Sequence, residues 1–375
     1  MHDFSAATDM TTYLRGLARL RRNPQAFHAI YAIAIKMGKS MFKALARAAL
    51  LSFALLPSMA TAEPIELKFS FFTSDRSNIY QTSIKPFVDA VNAEGEGLIA
   101  IKIYFSGAIS AVQAQQPQLV ADDTADMAII VPGQSPERFG DSAVMELPGL
   151  YRNPREASLV FTRLVEAGAL EGYKDFFVIG ALVSAGESIH SRKPIAAIED
   201  LKGLTIRTNN QIESAVLEKL GAIPVLLPIN QATDAISRGK IDAATFPPSM
   251  LFEFGIGRAT NYHFMIQLGG VPTALIMNRS KFESLPPPAQ AIIRKYSGQW
   301  LADRAAANLQ TMDVQILEQL KSDPRRKVTG LSPADLESTQ RIFASVIEDW
   351  AAMSPHNREL LTLVQSEIKT LRSSN

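Results

Sequence analysis

Residues Gly203 to Pro248 read GLTIRTNNQIESAVLEKLGAIPVLLPINQATDAISRGKIDAATFPP, and this stretch decides the fold. Gly203–Arg207 is a short apolar strand, and Gln211–Leu220 has helical spacing and is closed by Gly221. Ala222–Leu226 is again strand-like, Gln231–Arg238 helical, and Ile241–Phe246 a strand that runs into two prolines. Strand and helix alternate with no room for hairpins, which predicts parallel strands joined by right-handed crossovers.

The same order occurs upstream. Ile65–Phe72 (IELKFSFF) predicts a strand, and Ser77 can cap a helix running to about Asn92. A strand at Leu98–Phe105, a helix around Ala111–Ala121 and a strand at Asp126–Val131 complete the first set. Both sets close alike, with Asp126-Met-Ala-Ile-Ile-Val-Pro132 beside Asp242-Ala-Ala-Thr-Phe-Pro-Pro248. The expectation is an α/β protein of two lobes, type II-like, with two parallel-rich sheets. Tyr262–Leu268 and Thr273–Met277 predict strands that return the chain between lobes. Ala289 to about Lys321, Pro333–Met353 and Asn357–Leu371 predict long helices that brace them. The expected boundaries are 63–186 plus about 275–375 for lobe I with its bracing helices, and about 187–274 for lobe II.

Composition narrows the function. Of 38 basic and 37 acidic residues, eight and two lie within residues 1–62, leaving 30 against 35 and a body of net charge −5. A mildly acidic body argues against nucleic acid as a partner. No cysteine is present, which excludes disulfides, thiolate metal sites and cysteine nucleophiles. Lys43 and Arg47 precede the apolar run 48–57, and Ala60-Thr61-Ala62 supplies small residues before Glu63. That pattern predicts a secretory signal peptide cleaved after Ala62, with the true start at Met41 or Met37. The apolar run is shorter than the roughly 20 residues a spanning helix needs, so the expected location of the body is the periplasm.

Catalytic motifs are missing: there is no G-x-S-x-G, H-E-x-x-H or Walker A sequence. Beyond residue 62 the histidines are His190, His263 and His356, and none pairs with another at metal-ligand spacing. No enzyme activity, cofactor or metal is expected, and His263 reads as a hinge or core residue.

In parallel α/β sheets, ligands bind beyond the carboxyl ends of the strands. The ends here offer Phe72, Thr73 and Ser74, then Pro132 and Gly133, then Arg207, Asn209 and Asn210, then Phe246. Arg207 ends an apolar strand with no acid within five residues, and its planar fork suits a carboxylate. The residues alone also allow a solvated arginine, or one paired with Glu213 or Glu187. Asn210 and Asn209 could bind ligand or cap the next helix.

Leu201-Lys-Gly-Leu-Thr-Ile-Arg207, Ser191-Arg-Lys-Pro-Ile195, Leu220-Gly-Ala-Ile-Pro-Val225 and Gly239-Lys-Ile-Asp-Ala243 together resemble one family. With Ile84-Lys-Pro-Phe87 and Glu146-Leu-Pro148, the chain is similar in order, over residues 65–370, to the DctP-like solute-binding subunits of tripartite ATP-independent periplasmic (TRAP) transporters. The resemblance implies a two-lobed protein that closes on a small organic acid held by an arginine at the position of Arg207. It also implies delivery to a small and a large membrane subunit. Two positions depart from the sialic acid binders: Glu187 replaces a second arginine, and Phe246 replaces an asparagine. A monocarboxylate with an apolar or aromatic body, such as a 2-oxo acid or an aromatic acid, is therefore expected in place of a sugar acid. The other readings are a binding protein of an ABC transporter or sensor, and an exported enzyme. A monomer is expected.

Overall fold

A computed structural model describes residues 63–373. The export signal read from residues 41–62 lies outside the described residues.

Two sheets organise the chain. The first has strand order β2-β1-β3-β10-β4 and the second β11-β9-β5-β8-β6-β7. In the first, β1 (Ile65–Ser70), β2 (Ile99–Tyr104) and β3 (Met127–Ile130) are parallel, joined by α1 (Lys85–Glu94) and α2 (Gln116–Ala121). In the second, β6 (Thr205–Thr208), β7 (Ile223–Leu226) and β8 (Ala243–Phe246) are parallel, joined by α4 (Gln211–Lys219) and α5 (Ile229–Ser237). Each set puts its first strand in the middle, and an antiparallel strand follows its third. That neighbour is β10 (Pro272–Asn278) in one sheet and β5 (Ser188–Ser191) in the other. The repeated order read from the sequence is thus a repeated topology.

Other elements depart from the sequence reading. The helix α3 (Pro154–Glu166) and the strand β4 (Phe176–Val183) fill a stretch where no element is expected. β4 is the run FFVIGALV, which is continuously apolar because it is covered on both faces. The strand β9 (Tyr262–Met265) pairs with β5 and with β11 (Lys327–Gly330). Assigning all of 275–375 to the first lobe therefore needs correction, since β11 extends the second sheet. The expected helix from Ala289 to Lys321 is two helices, α6 (Pro287–Lys295) and α7 (Gln299–Ser322). Gly298 separates them at φ +60°, where its N–H donates to the Ile179 carbonyl at 2.8 Å. The helices α8 (Pro333–Ala352) and α9 (Pro355–Ser373) close the chain.

The lobes are joined by two crossing segments that lie side by side between β4 and β5 and between β9 and β10. Ser184 N–H donates to Val271 O at 3.1 Å, and Leu268 N–H to Glu187 O at 2.7 Å. Backbone approaches are tight here: a Cβ on Gly269 would lie 1.7 Å from the Glu146 carbonyl oxygen. The helix α7 spans both lobes. Asn308 Nδ2 donates to Thr82 O at 2.7 Å on the first, Asp313 Oδ1 accepts from Ser249 N–H at 2.7 Å on the second, and Leu320 joins the second lobe's core. The first-lobe core is aromatic-rich, with Phe69, Phe71 and Phe87 fully buried. Each such ring contributes about 1.5–3 kcal/mol by leaving water.

Candidate functional site

The strand β6 is paired on both sides, one strand in from the edge of its sheet, with Arg207 in register with Val225 on one side and Ala244 on the other. Its last three residues are all buried, so Arg207 has no route to water and is 1% exposed. A buried guanidinium must be satisfied locally. Nε donates to Leu227 O at 2.9 Å, Nη1 to Thr245 O at 3.1 Å and Nη2 to Asn209 Oδ1 at 3.1 Å. The Phe246 ring lies against it, with Cζ 4.9 Å from the ring centroid. Three of the five donors are thereby used. The remaining N–H groups sit one on each terminal nitrogen, the number that a carboxylate takes with its two oxygens.

Acids surround the group. Glu213, on the first turn of α4, is buried and accepts from Asn209 N–H at 2.9 Å, Thr245 Oγ1 at 2.8 Å and Asn210 Nδ2 at 3.4 Å. Burial lowers the Arg207 pKa, and the charges of Glu187 and Glu213 oppose that fall. Glu187, in the first crossing segment, is held well above the usual carboxylate range by burial and by Glu213, against the pull of Arg207. Glu146 is pushed up to about 8, again by burial first and then by Glu213.

The expected site residues fall into distinct roles. Asn210 caps α4, its Oδ1 accepting from Glu213 N–H at 2.8 Å, so its side chain is committed to the helix. Asn209 is the freer of the two: Oδ1 holds Arg207, while Nδ2 is buried without a partner. Phe246 is a wall of the arginine pocket. Thr73 ends the first-lobe edge with a buried, unpartnered Oγ1. Phe72 is half-buried with its ring 6.1 Å from Phe71, and Ser74 Oγ accepts from Arg76 N–H at 3.3 Å in a turn. Ser74 also borders an opening of about 490 Å³ that is lined from both lobes and α7, by Asn78, Phe252, Glu253 and Ile316 among others.

Pro132 and Gly133 open a short turn that brings the first lobe against the second. A Cβ on Gly133 would lie 2.7 Å from Glu146 Oε1 and 3.7 Å from the Asn210 Cβ, and Gln134 Nε2 donates to Asn209 O at 3.4 Å. Asn78 makes a second bridge, donating its N–H to Glu253 Oε2 at 2.8 Å and its Nδ2 to Ser249 O. Glu146 Oε1, Glu187 Oε2 and Ser249 Oγ are also buried without partners. An unpaired buried polar atom costs about 1–3 kcal/mol.

His263 is a buried core residue whose Nδ1 lies 2.8 Å from that of His190 on the adjacent strand. Among the described residues, no group of three or more His, Asp and Glu side chains is arranged to hold a metal ion. No described helix is long and apolar enough to cross a membrane.

Residues 69–353 match the family model of DctP, described as bacterial extracellular solute-binding protein, family 7. A TRAP solute-binding protein from Rhodoferax ferrireducens, solved with copurified benzoate, is 26% identical and superposes with a TM-score of 0.78 over 83% of this chain and 99% of that one. A marine metagenome TRAP solute-binding protein specific for aromatic acid ligands, in complex with metahydroxyphenylacetate, is 25% identical, with a TM-score of 0.77 over 82% and 99%. The 2,3-diketo-L-gulonate-binding periplasmic protein of Escherichia coli is 26% identical over 60% of this chain and 69% of its own.

Proposed function

Because the chain belongs to the DctP family and is a TRAP periplasmic solute-binding protein, we propose that it captures a small monocarboxylate with an apolar or aromatic body between its lobes. Arg207 takes the carboxylate through the two N–H groups its protein partners leave over. Asn209 Nδ2 and Thr73 Oγ1 supply further hydrogen bonds from the two lobes. Phe246 and Phe72 flank the apolar body, while Ser74, Pro132, Gly133 and Asn210 form the rim. Residues 63–186, with most of 275–375, make one lobe, and 187–274 with β11 make the other. The ligand favours the closed form only by binding it better than the open one. It does so by pairing groups of both lobes that are otherwise buried unpaired. The closed form delivers the acid to the TRAP membrane subunits, and the protein works as an exported monomer.

The observation that carries this reading is the buried guanidinium of Arg207, with two donors left among unpartnered polar atoms of both lobes. The benzoate and aromatic-acid complexes of relatives with at least 25% identity support the apolar body. Phe246 supports it from within the chain, since a ring against the clamp offers a stacking surface where a sugar acid would need hydrogen bonds.

A thermal-shift panel tests the class. A ligand at a hundred times its Kd adds about 2.7 kcal/mol, a rise of roughly 4 °C at this chain length. Benzoate, hydroxybenzoates or phenylpyruvate should give that rise, and sugar acids and dicarboxylates none. A shift by galacturonate alone would contradict the proposed class.

A further inference from the structure

The arginine pocket holds one cation and three carboxyl groups, and this imbalance says what protons must be present. Glu213 uses its oxygens as acceptors for a backbone N–H, a hydroxyl and an amide, the pattern of a carboxylate, and it balances Arg207. Glu187 stands close enough to Glu213 and Arg207 for both charges to act on it. Glu187 Oε2 and Glu146 Oε1 are buried without partners, in residues only 2% and 3% exposed. Glu187 stands at the crossing segments beside Arg207. Glu146 stands against Gly133, where the first lobe meets Asn210.

We propose that Glu187 and Glu146 are ligand-contacting residues that meet the bound acid as neutral carboxyl groups, each donating its hydrogen to an oxygen of the ligand. This rests on the reading of Arg207 as the carboxylate clamp. Two neutral carboxyls let one negative charge enter beside the Arg207–Glu213 pair, whereas ionised ones would repel it. They also leave nothing to offset a second charge, so the pocket selects monocarboxylates. The raised pKa values of both groups agree with this geometry. The groups facing Glu187 are Arg207 on β6, Glu213 on α4 and Thr245 on β8. Those facing Glu146 are Glu213 and Tyr173.

Binding and protonation are then linked. Affinity stays level up to about pH 8, where free Glu146 ionises, and weakens by about tenfold per pH unit above it. The test is calorimetric titration of the protein with benzoate from pH 6 to 9.5, alongside Glu146→Gln and Glu187→Gln, which keep shape and neutrality. Glu146→Gln should lose the alkaline decline, and Glu146→Ala, which removes the donor, should bind benzoate about fivefold more weakly than the parent at pH 7. A flat parent profile, or an alkaline decline that persists in Glu146→Gln, would overturn the inference. Carboxyl ¹³C NMR of the ligand-free protein, assigned with the two variants, reads the protons without any ligand. Glu146 found ionised at pH 7 overturns the inference even if benzoate binds. A protonated Glu146 in a protein that ignores benzoate faults the substrate class instead.

Discussion

Removing Glu213 should destabilise the protein by undoing the charge balance at Arg207. Glu213 is 1% exposed and accepts hydrogen bonds from Asn209, Thr245 and Asn210, while Arg207, also 1% exposed, leans on its charge. Breaking a buried pair from one side costs about 3–5 kcal/mol, because the remaining charge is left in a poor dielectric. The 311 described residues imply an unfolding entropy near 650 cal/mol/K, so Glu213→Ala should lower Tm by about 5–8 °C. Differential scanning calorimetry measures this directly. A double-mutant cycle with Arg207→Met isolates the electrostatic part: the two losses should fall short of additivity by about 1–3 kcal/mol. Additive losses would refute the reasoning, since Glu213 would then act only through its hydrogen bonds to backbone, hydroxyl and amide.

Other outcomes follow from the same contacts. Phe246→Ala removes a fully buried ring from the second-lobe core and should cost about 3–5 kcal/mol, read as a lower Tm, together with weaker binding of aromatic acids by calorimetry. Gly269→Ala would place a Cβ 1.7 Å from the Glu146 carbonyl, so the crossing segments must part. A loss of about 1–3 kcal/mol in urea unfolding is expected, and an unchanged midpoint would contradict the packing described at the crossing. Stability should also depend on pH through Glu146. Its carboxyl ionises near 4.5 when unfolded but holds its proton to about pH 8 when folded. The folded chain therefore binds the extra proton across that window, and stability falls as pH rises through it, by up to about 1.4 kcal/mol per unit, then levels off. Glu146→Gln should remove that component of the Tm–pH curve, measured by calorimetry from pH 5 to 9.

Much of the fold could be read from the sequence because its parallel strands are short, apolar runs separated by segments of helical spacing. Asp126 to Pro132 and Asp242 to Pro248 mark the third strand of each set, and the two sheets repeat the same order around them. β4 escaped because a strand covered on both faces has no alternation. Ser188–Ser191 and Lys327–Gly330 are four-residue strands specified by their neighbours rather than by their own pattern. The break at Gly298 lies inside a stretch whose periodicity continues on both sides, so only the glycine marked it. Arg207 was conspicuous as a charge at the end of an apolar strand. Glu213 and Glu187 were among the acids the sequence offered it, whereas the backbone carbonyls of Leu227 and Thr245 that accept from it leave no sequence signal. Glu146 interrupts the apolar run Ala143–Leu150, a signal that could have marked it as buried.

The central claim is that Arg207 is the group that holds the ligand's carboxylate. Isothermal titration calorimetry of the parent and of Arg207→Ala, with the acid that gives the largest thermal shift, tests it most directly. Truncating one partner of a buried charge pair costs about 2–5 kcal/mol of binding, so the variant should bind at least thirtyfold more weakly while remaining folded by circular dichroism. A folded Arg207→Ala protein that binds the acid as tightly as the parent would contradict the account and make the buried arginine a structural residue of the second lobe.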